Sequence, residues 1–148
     1  MVCLGNICRS PLAEGLLRAK AKEQNLQLTV DSAGTSAFHP GGPPDKRSIE
    51  VANNHGIDIQ HQKCRQFSAR DFDDFDAIYV MDASNYEDVL AMSKNPSDKK
   101  KVKLILEMSQ PGSRKNVPDP YYDAKEGFEK MYQMLDAACD AIVDHLRK

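Results

Sequence analysis

Close to the N-terminus, the segment Cys3-Leu4-Gly5-Asn6-Ile7-Cys8-Arg9-Ser10 brings a thiol, a guanidinium and a hydroxyl together in the chain. The five residues between Cys3 and Arg9 are enough to turn successive backbone N–H groups inward, an anion cradle at the start of a helix. Gly5 admits backbone angles that other residues resist. Arg9 carries a planar fork matched to two phosphoryl oxygens. A thiol facing such a cradle is favoured as its thiolate, the nucleophilic form. The chemistry these types and this spacing could perform is attack of Cys3 on a bound phosphoryl group, with Leu4, Gly5, Asn6, Ile7, Cys8 and Ser10 forming the cradle. The competing reading is a buried cysteine in a tight structural turn.

For that chemistry the segment must lie between a strand end and a helix start, where an open α/β sheet places its ligands. Val2 and Cys3 read as the end of a strand. A buried strand needs about five residues, so the expectation is a first strand cut short, with the natural start upstream of Met1. Residues 11–24 read as a helix: Ser10 can cap it, Pro11 suits its first position, and Leu12, Leu16 and Leu17 share a face. Residues 27–31 (QLTVD) are a short β-prone run, and residues 32–45 a loop rich in Gly, Pro and Ser. Residues 46–55 read as a helix closed by Gly56. Ser68 with Asp71, and Ser84 with Glu87, make capping boxes, the second opening a helix to about Met92. Residues 77–81 (AIYVM) and 101–106 (KVKLIL) are apolar runs of buried-strand character. Residues 124–147 form a long amphipathic helix with Phe128, Met131, Tyr132, Leu135, Cys139, Ile142 and Leu146 along one stripe. Helices separating short apolar strands predict an α/β fold. It is a Rossmann-like, three-layer, doubly wound sheet of four parallel strands, with helices on both faces and the anion loop after strand one.

Composition narrows the function. A length of 148 residues suits a single domain spanning 1–148. Twenty Lys and Arg against twenty-two Asp and Glu leave a net charge of −2, which argues against coating nucleic acid or an anionic membrane. No stretch approaches the ~20 apolar residues of a membrane span, and no secretory pattern opens the chain. Four cysteines are too few for a disulfide scaffold, so a cytoplasmic protein is expected. Cys3 and Cys8 lack a second pair or His partners at ligand spacing, so neither a metal nor another cofactor is expected.

The segment VCLGNICRSPLAE resembles the active-site signature of the low-molecular-weight protein tyrosine phosphatases. DSAG at 31–34, NHGI at 54–57, MDASN at 81–85 and DPYYD at 119–123 recur in matching order, so the resemblance spans essentially the whole chain. It implies Cys3 as nucleophile and Arg9 as phosphoryl binder and transition-state stabiliser. Asp119 would be the acid that protonates the leaving phenol and then the base for water. It further implies a hydroxyl of Ser10 donating to the thiolate, and a network of Asn6, Ser10, Ser32 and His61 holding the loop. Asp82 would support the site. Phe38, Tyr121 and Tyr122 would flank a flat aryl substrate, and Cys8 would capture an oxidised Cys3 as a disulfide. The partners implied are phosphotyrosine-containing proteins, with the protein mostly a monomer and weak self-association through the tyrosine pair.

Taken by residue type alone, several of these positions have plainer readings. Ser10 is equally a helix cap, Cys8 a small packing residue, His61 a solvated histidine, Asp82 a strand end and Phe38 a core residue. Cys139 reads as core, and Cys64 receives no assignment. Lys99 to Lys101 and the acids between Asp71 and Asp76 read as solvated surface. Protein-arginine phosphatase activity on the same scaffold is an alternative, but a threonine tends to stand there in place of Ile7, and the tyrosine pair is missing. Thiol-dependent arsenate reduction would need two resolving cysteines downstream, where this chain has only Cys64 and Cys139. A phosphate-binding module without catalysis would need neither Cys3 nor Asp119.

Overall fold

The computed structural model describes residues 1–36 and 39–148. Its four parallel strands are β1 (Val2–Cys3), β2 (Ala33–Gly34), β3 (Ile78–Val80) and β4 (Val102–Leu104), lying in the order β2-β1-β3-β4. Seven helices follow among the described residues: α1 (Arg9–Glu23), α2 (Lys46–Asn54), α3 (Asp71–Asp74), α4 (Ala83–Ala91), α5 (Pro96–Lys100), α6 (Leu106–Ser109) and α7 (Lys125–Leu146). This is the expected doubly wound α/β architecture.

Side chains alternate across each strand, and the two resulting faces are covered by different helices. Cys3, Tyr79 and Met81 point into a core shared with Leu12 and Leu16 of α1, Val51 of α2 and Leu135 and Cys139 of α7. Val2, Ile78, Val80 and Val102 point the other way, onto Phe67, Phe72 and Val89. Strands buried on both faces read as unbroken apolar runs, which is why the run at 77–81 contains β3. No helix among the described residues is long and apolar enough to cross a membrane.

The chain runs from β1 to β2 on one side and then crosses back over β1 to reach β3 on the other. The connection reverses direction beside β1, so a crevice opens beyond its carboxyl end. Residues 4–8 occupy it.

The structure departs from the sequence expectations at several boundaries. The second strand lies at 33–34 rather than 27–31, because its partners are set by β1: Val2 pairs with Ala33 and Cys3 with Gly34. Helix α1 begins at Arg9, so Ser10 lies inside its first turn and does not cap it; Cys8 is the capping position, without a side-chain hydrogen bond. Helix α4 is capped by Asp82, which accepts from the Asn85 N–H at 2.8 Å, not by Ser84. Asp71 is buried rather than solvated, holding the Arg65 guanidinium through two bonds of 3.0 Å and accepting the Ser68 N–H at 2.9 Å.

Candidate active site

The loop after β1 is shaped by what its carbonyls face. Cys3 and Leu4 carbonyls accept from the Thr35 and Ser36 N–H groups, each at 2.9 Å, and the Ile7 carbonyl accepts from Asp45 N–H at 2.8 Å. The Asn6 carbonyl accepts from the Cys64 thiol at 2.9 Å, and the Cys8 carbonyl from the Ser48 hydroxyl at 3.1 Å. In a trans peptide the N–H points opposite to its C=O. Five carbonyls bonded outward therefore turn the N–H groups of Leu4, Gly5, Ile7, Cys8 and Arg9 inward. The start of α1 adds its dipole.

The left-handed residue of this loop is Asn6, at φ 56, and not Gly5. Asparagine tolerates that region better than most residues, and here its side chain is fully used. Its amide donates to Ser10 Oγ at 2.7 Å and to Ser32 Oγ at 2.9 Å, while its oxygen accepts from the Arg65 N–H at 3.0 Å. Ser10 Oγ lies 3.0 Å from Cys3 Sγ. Since Ser10 already accepts from Asn6, its single proton is available to the sulfur; the Ala33 carbonyl is the longer alternative at 3.4 Å. Ser32 in turn donates to the buried Glu14 carboxylate at 2.7 Å.

His61 is the expected member that the structure leaves out. It is exposed, and the places near Asn6 and Ser32 are taken by the Arg65 N–H and the Glu14 carboxylate. Glu14 could have been found in the sequence as an acid beside the apolar face of α1, since a buried carboxylate demands partners. Cys64 could not, because nothing around it in the chain announces its burial.

Arg9 is almost fully buried. Its Nη1 donates to Asp82 Oδ2 at 2.6 Å and to the Val117 carbonyl at 3.0 Å, and its Nη2 lies 3.6 Å from Asp119 Oδ2. Asp82 thus serves twice, as cap of α4 and as anchor of the guanidinium. The Val117 N–H donates to the Met81 carbonyl at 2.8 Å, which draws the segment carrying Asp119 to the carboxyl ends of the strands. A residue more than a hundred positions from the loop arrives beside Arg9.

Cys3, Arg9 and Asp119 line one cavity of about 470 Å³, with Leu4, Gly5, Ile7 and Cys8 on its floor side and His39, Tyr121 and Tyr122 around it. Tyr122 is 94% exposed and meets the Tyr121 ring edge-on at 5.0 Å. Phe38 lies outside the described residues. Burial pushes the Cys8 thiol up to about 12, with nearby Asp45 and Asp119 adding to the rise, so Cys8 stays a neutral thiol in neutral solution. Burial likewise raises the Cys64 thiol. All four cysteines are free. Among the described residues, no three His, Cys, Asp or Glu side chains are grouped as metal ligands would be.

The sequence profile of a family described as low molecular weight phosphotyrosine protein phosphatase matches residues 1–148. The chain belongs to that family. A low molecular weight phosphotyrosine protein phosphatase of Schizosaccharomyces pombe is 42% identical over 139 residues, covering 91% of this chain and 88% of the relative. The crystal structure of a protein tyrosine phosphatase from Entamoeba histolytica, with Hepes in its active site, superposes at a TM-score of 0.92. It shares 33% identity over 99% of this chain and 94% of that one. A Drosophila arginine phosphatase superposes at 0.91 with 33% identity, covering 99% of this chain and 96% of its own.

Proposed function

We propose that the enzyme, a protein tyrosine phosphatase and so a hydrolase of phosphoric monoesters, works through a cysteinyl-phosphate on Cys3. The observation that carries this reading is the convergence of Cys3, Arg9 and Asp119 on one cavity. A phosphoryl group seated in the cradle meets inward N–H groups on its equatorial oxygens, and the Arg9 fork adds fixed positive charge where the transition state concentrates negative charge. The Cys3 sulfur attacks phosphorus as the bond to the aryl oxygen breaks, and Asp119 delivers a proton to that oxygen so that phenol leaves. Water then attacks the thiophosphate with Asp119 taking its proton, the S–P bond breaks, and phosphate is released with the Cys3 thiolate and the Asp119 acid both restored. Asp82 and the Val117 carbonyl keep the guanidinium oriented through both steps. Tyr121 and Tyr122 suit the walls of a slot for a flat aryl group.

Substrates are phosphoproteins, and we place the work in the cytoplasm, where four unbridged cysteines fit a reducing compartment. We treat the protein as a monomer that acts without a cofactor, nucleic acid or membrane surface. The second reading, phosphoarginine hydrolysis, is favoured by the likeness to an arginine phosphatase; Ile7 and the tyrosine pair speak against it. Purified protein is expected to hydrolyse an aryl phosphate and a phosphotyrosine peptide faster than a phosphoarginine peptide, with Cys3→Ser inactive and Asp119→Ala slowed about 10²–10⁴-fold. Activity surviving Cys3→Ser would sink the mechanism, and a preference for phosphoarginine would select the second reading.

A further inference from the structure

One side chain joins the outside of the anion cradle to the segment that carries the acid. Asp45, whose backbone N–H donates to the Ile7 carbonyl at 2.8 Å, caps α2 and accepts the Arg47 N–H at 2.8 Å. The same carboxylate takes one edge of the Arg47 guanidinium in a bidentate grip, with Nε and Nη2 each donating at 3.0 Å. Held flat in this way, the guanidinium lies 4.6 Å from the Phe128 ring centre on α7 and 5.4 Å from that of Tyr121, and its Nη1 donates to the Asp123 carbonyl at 3.4 Å. Tyr121 lies in the turn whose first residue is Asp119, closed by Asp119 Oδ1 accepting the Tyr121 N–H at 3.1 Å, and Asp123 follows directly after it.

We propose that Arg47 is a positioning residue for the acid: it fixes the 119–123 segment over the cradle through Tyr121 and the Asp123 carbonyl, and so sets where the Asp119 carboxyl meets the leaving oxygen. The inference rests on the mechanism proposed above. The side-chain type follows from the geometry. Only a planar cation can give two parallel N–H bonds to a carboxylate while offering its face to an aromatic ring, and an ammonium cannot do both. Arg47 touches neither the phosphoryl group's cradle nor the reacting atoms, so its effect belongs to steps that need the acid. Proton delivery depends on heavy-atom distances held to a few tenths of an ångström, whereas none of the bonds that orient the cradle N–H groups or the Arg9 guanidinium is made by the Arg47 side chain.

The test compares two aryl phosphates in the full-length enzyme. Phenyl phosphate has a poor leaving group that needs a proton, and dinitrophenyl phosphate has a good one that does not. Arg47→Ala and Arg47→Lys are expected to lower kcat/KM for phenyl phosphate about tenfold more than for dinitrophenyl phosphate, with inhibition by inorganic phosphate not weakened. In an Asp119→Asn background the same substitutions should cost nothing further on phenyl phosphate, because the positioned group is already lost. Equal losses on both substrates, weakened phosphate inhibition, or additive losses in the Asp119→Asn background would overturn the proposal. Hydrolysis by the parent enzyme that survives Cys3→Ser is a separate result: it overturns the mechanism itself and this inference with it.

Discussion

Asn6 shows why residue type and position both matter in the cradle: it is the one residue there at positive φ, and all three of its side-chain hydrogen bonds are made. Its carbonyl is held from behind by the Cys64 thiol, which turns the Ile7 N–H inward. Gly34 plays the complementary part by having no side chain. A Cβ there would stand 2.8 Å from the Leu4 oxygen, 2.9 Å from the Asn6 nitrogen and 2.9 Å from the Gly5 carbonyl carbon, all backbone atoms of the cradle. Backbone cannot yield there as a flexible side chain would. Gly34→Ala is therefore expected to push the loop out of shape, costing about 1–3 kcal/mol in denaturant stability and weakening inhibition by phosphate. Unchanged phosphate inhibition would show that the loop does not depend on this close approach. The sequence displayed Gly34 within DSAG but gave no physical sign of what it touches, since the contact joins β2 to a loop some thirty residues earlier. The local surroundings of Ser10 mislead for a related reason. A serine before a proline and an apolar helix face looks like a cap, whereas the resemblance implies a hydroxyl donating to the thiolate, and the structure places that hydroxyl 3.0 Å from the Cys3 sulfur and 2.7 Å from the Asn6 amide nitrogen.

Elements that bury a continuous stripe were legible from the chain, and those defined by their partners were not. Helix α7 was readable because Phe128, Met131, Leu135, Cys139 and Ile142 recur at helical spacing, and all are buried. Strand β2 was not, because two residues carry no period, and its position is decided by pairing with β1. Nor was the cap of α4: Ser84 and Glu87 satisfy the local pattern, but Asp82 already sits at the strand end facing Arg9 and takes the role. The α1–α7 interface also yields a pH effect. Cys139 is fully buried against α1, and burial pushes its thiol from 9.0 to about 12. Burial of Cys8 raises that thiol to about 12 as well. Above pH 9.0 the unfolded chain releases these protons while the folded protein keeps them. The unfolded state then binds fewer protons, and stability falls as pH rises from 9.0 towards about 12. Denaturant curves at about pH 8 and pH 10 should show this fall, and Cys139→Ala should make it shallower. An unchanged slope in the variant would show that Cys139 does not carry it.

The whole molecule is arranged so that four chain segments end at one crevice. β1 brings Cys3, β2 brings Gly34, the end of β3 brings Asp82, and the segment after α6 brings Val117 and Asp119. Net charge had no bearing on this, since −2 over 148 residues coexists with a buried guanidinium and a ring of inward N–H groups. A buried charge is tolerated only when paired, and Arg9 has Asp82 on one side but only a 3.6 Å approach to Asp119 on the other. A phosphate dianion completes the pairing in the folded state and has no such site in the unfolded chain. Binding must therefore stabilise the fold, by about 2.7 kcal/mol when phosphate is a hundredfold above its dissociation constant, a rise of several degrees in Tm for a domain of this size. Sodium chloride at matched ionic strength should give no such rise. Arg9→Lys, which keeps the charge and loses the fork, should shrink it. Asp119→Asn should enlarge it, because the carboxylate that faces Arg9 repels an arriving dianion and the amide does not. A rise that is the same in all three proteins, or is matched by chloride, would mean that phosphate acts on the general surface and not in the crevice where these segments meet.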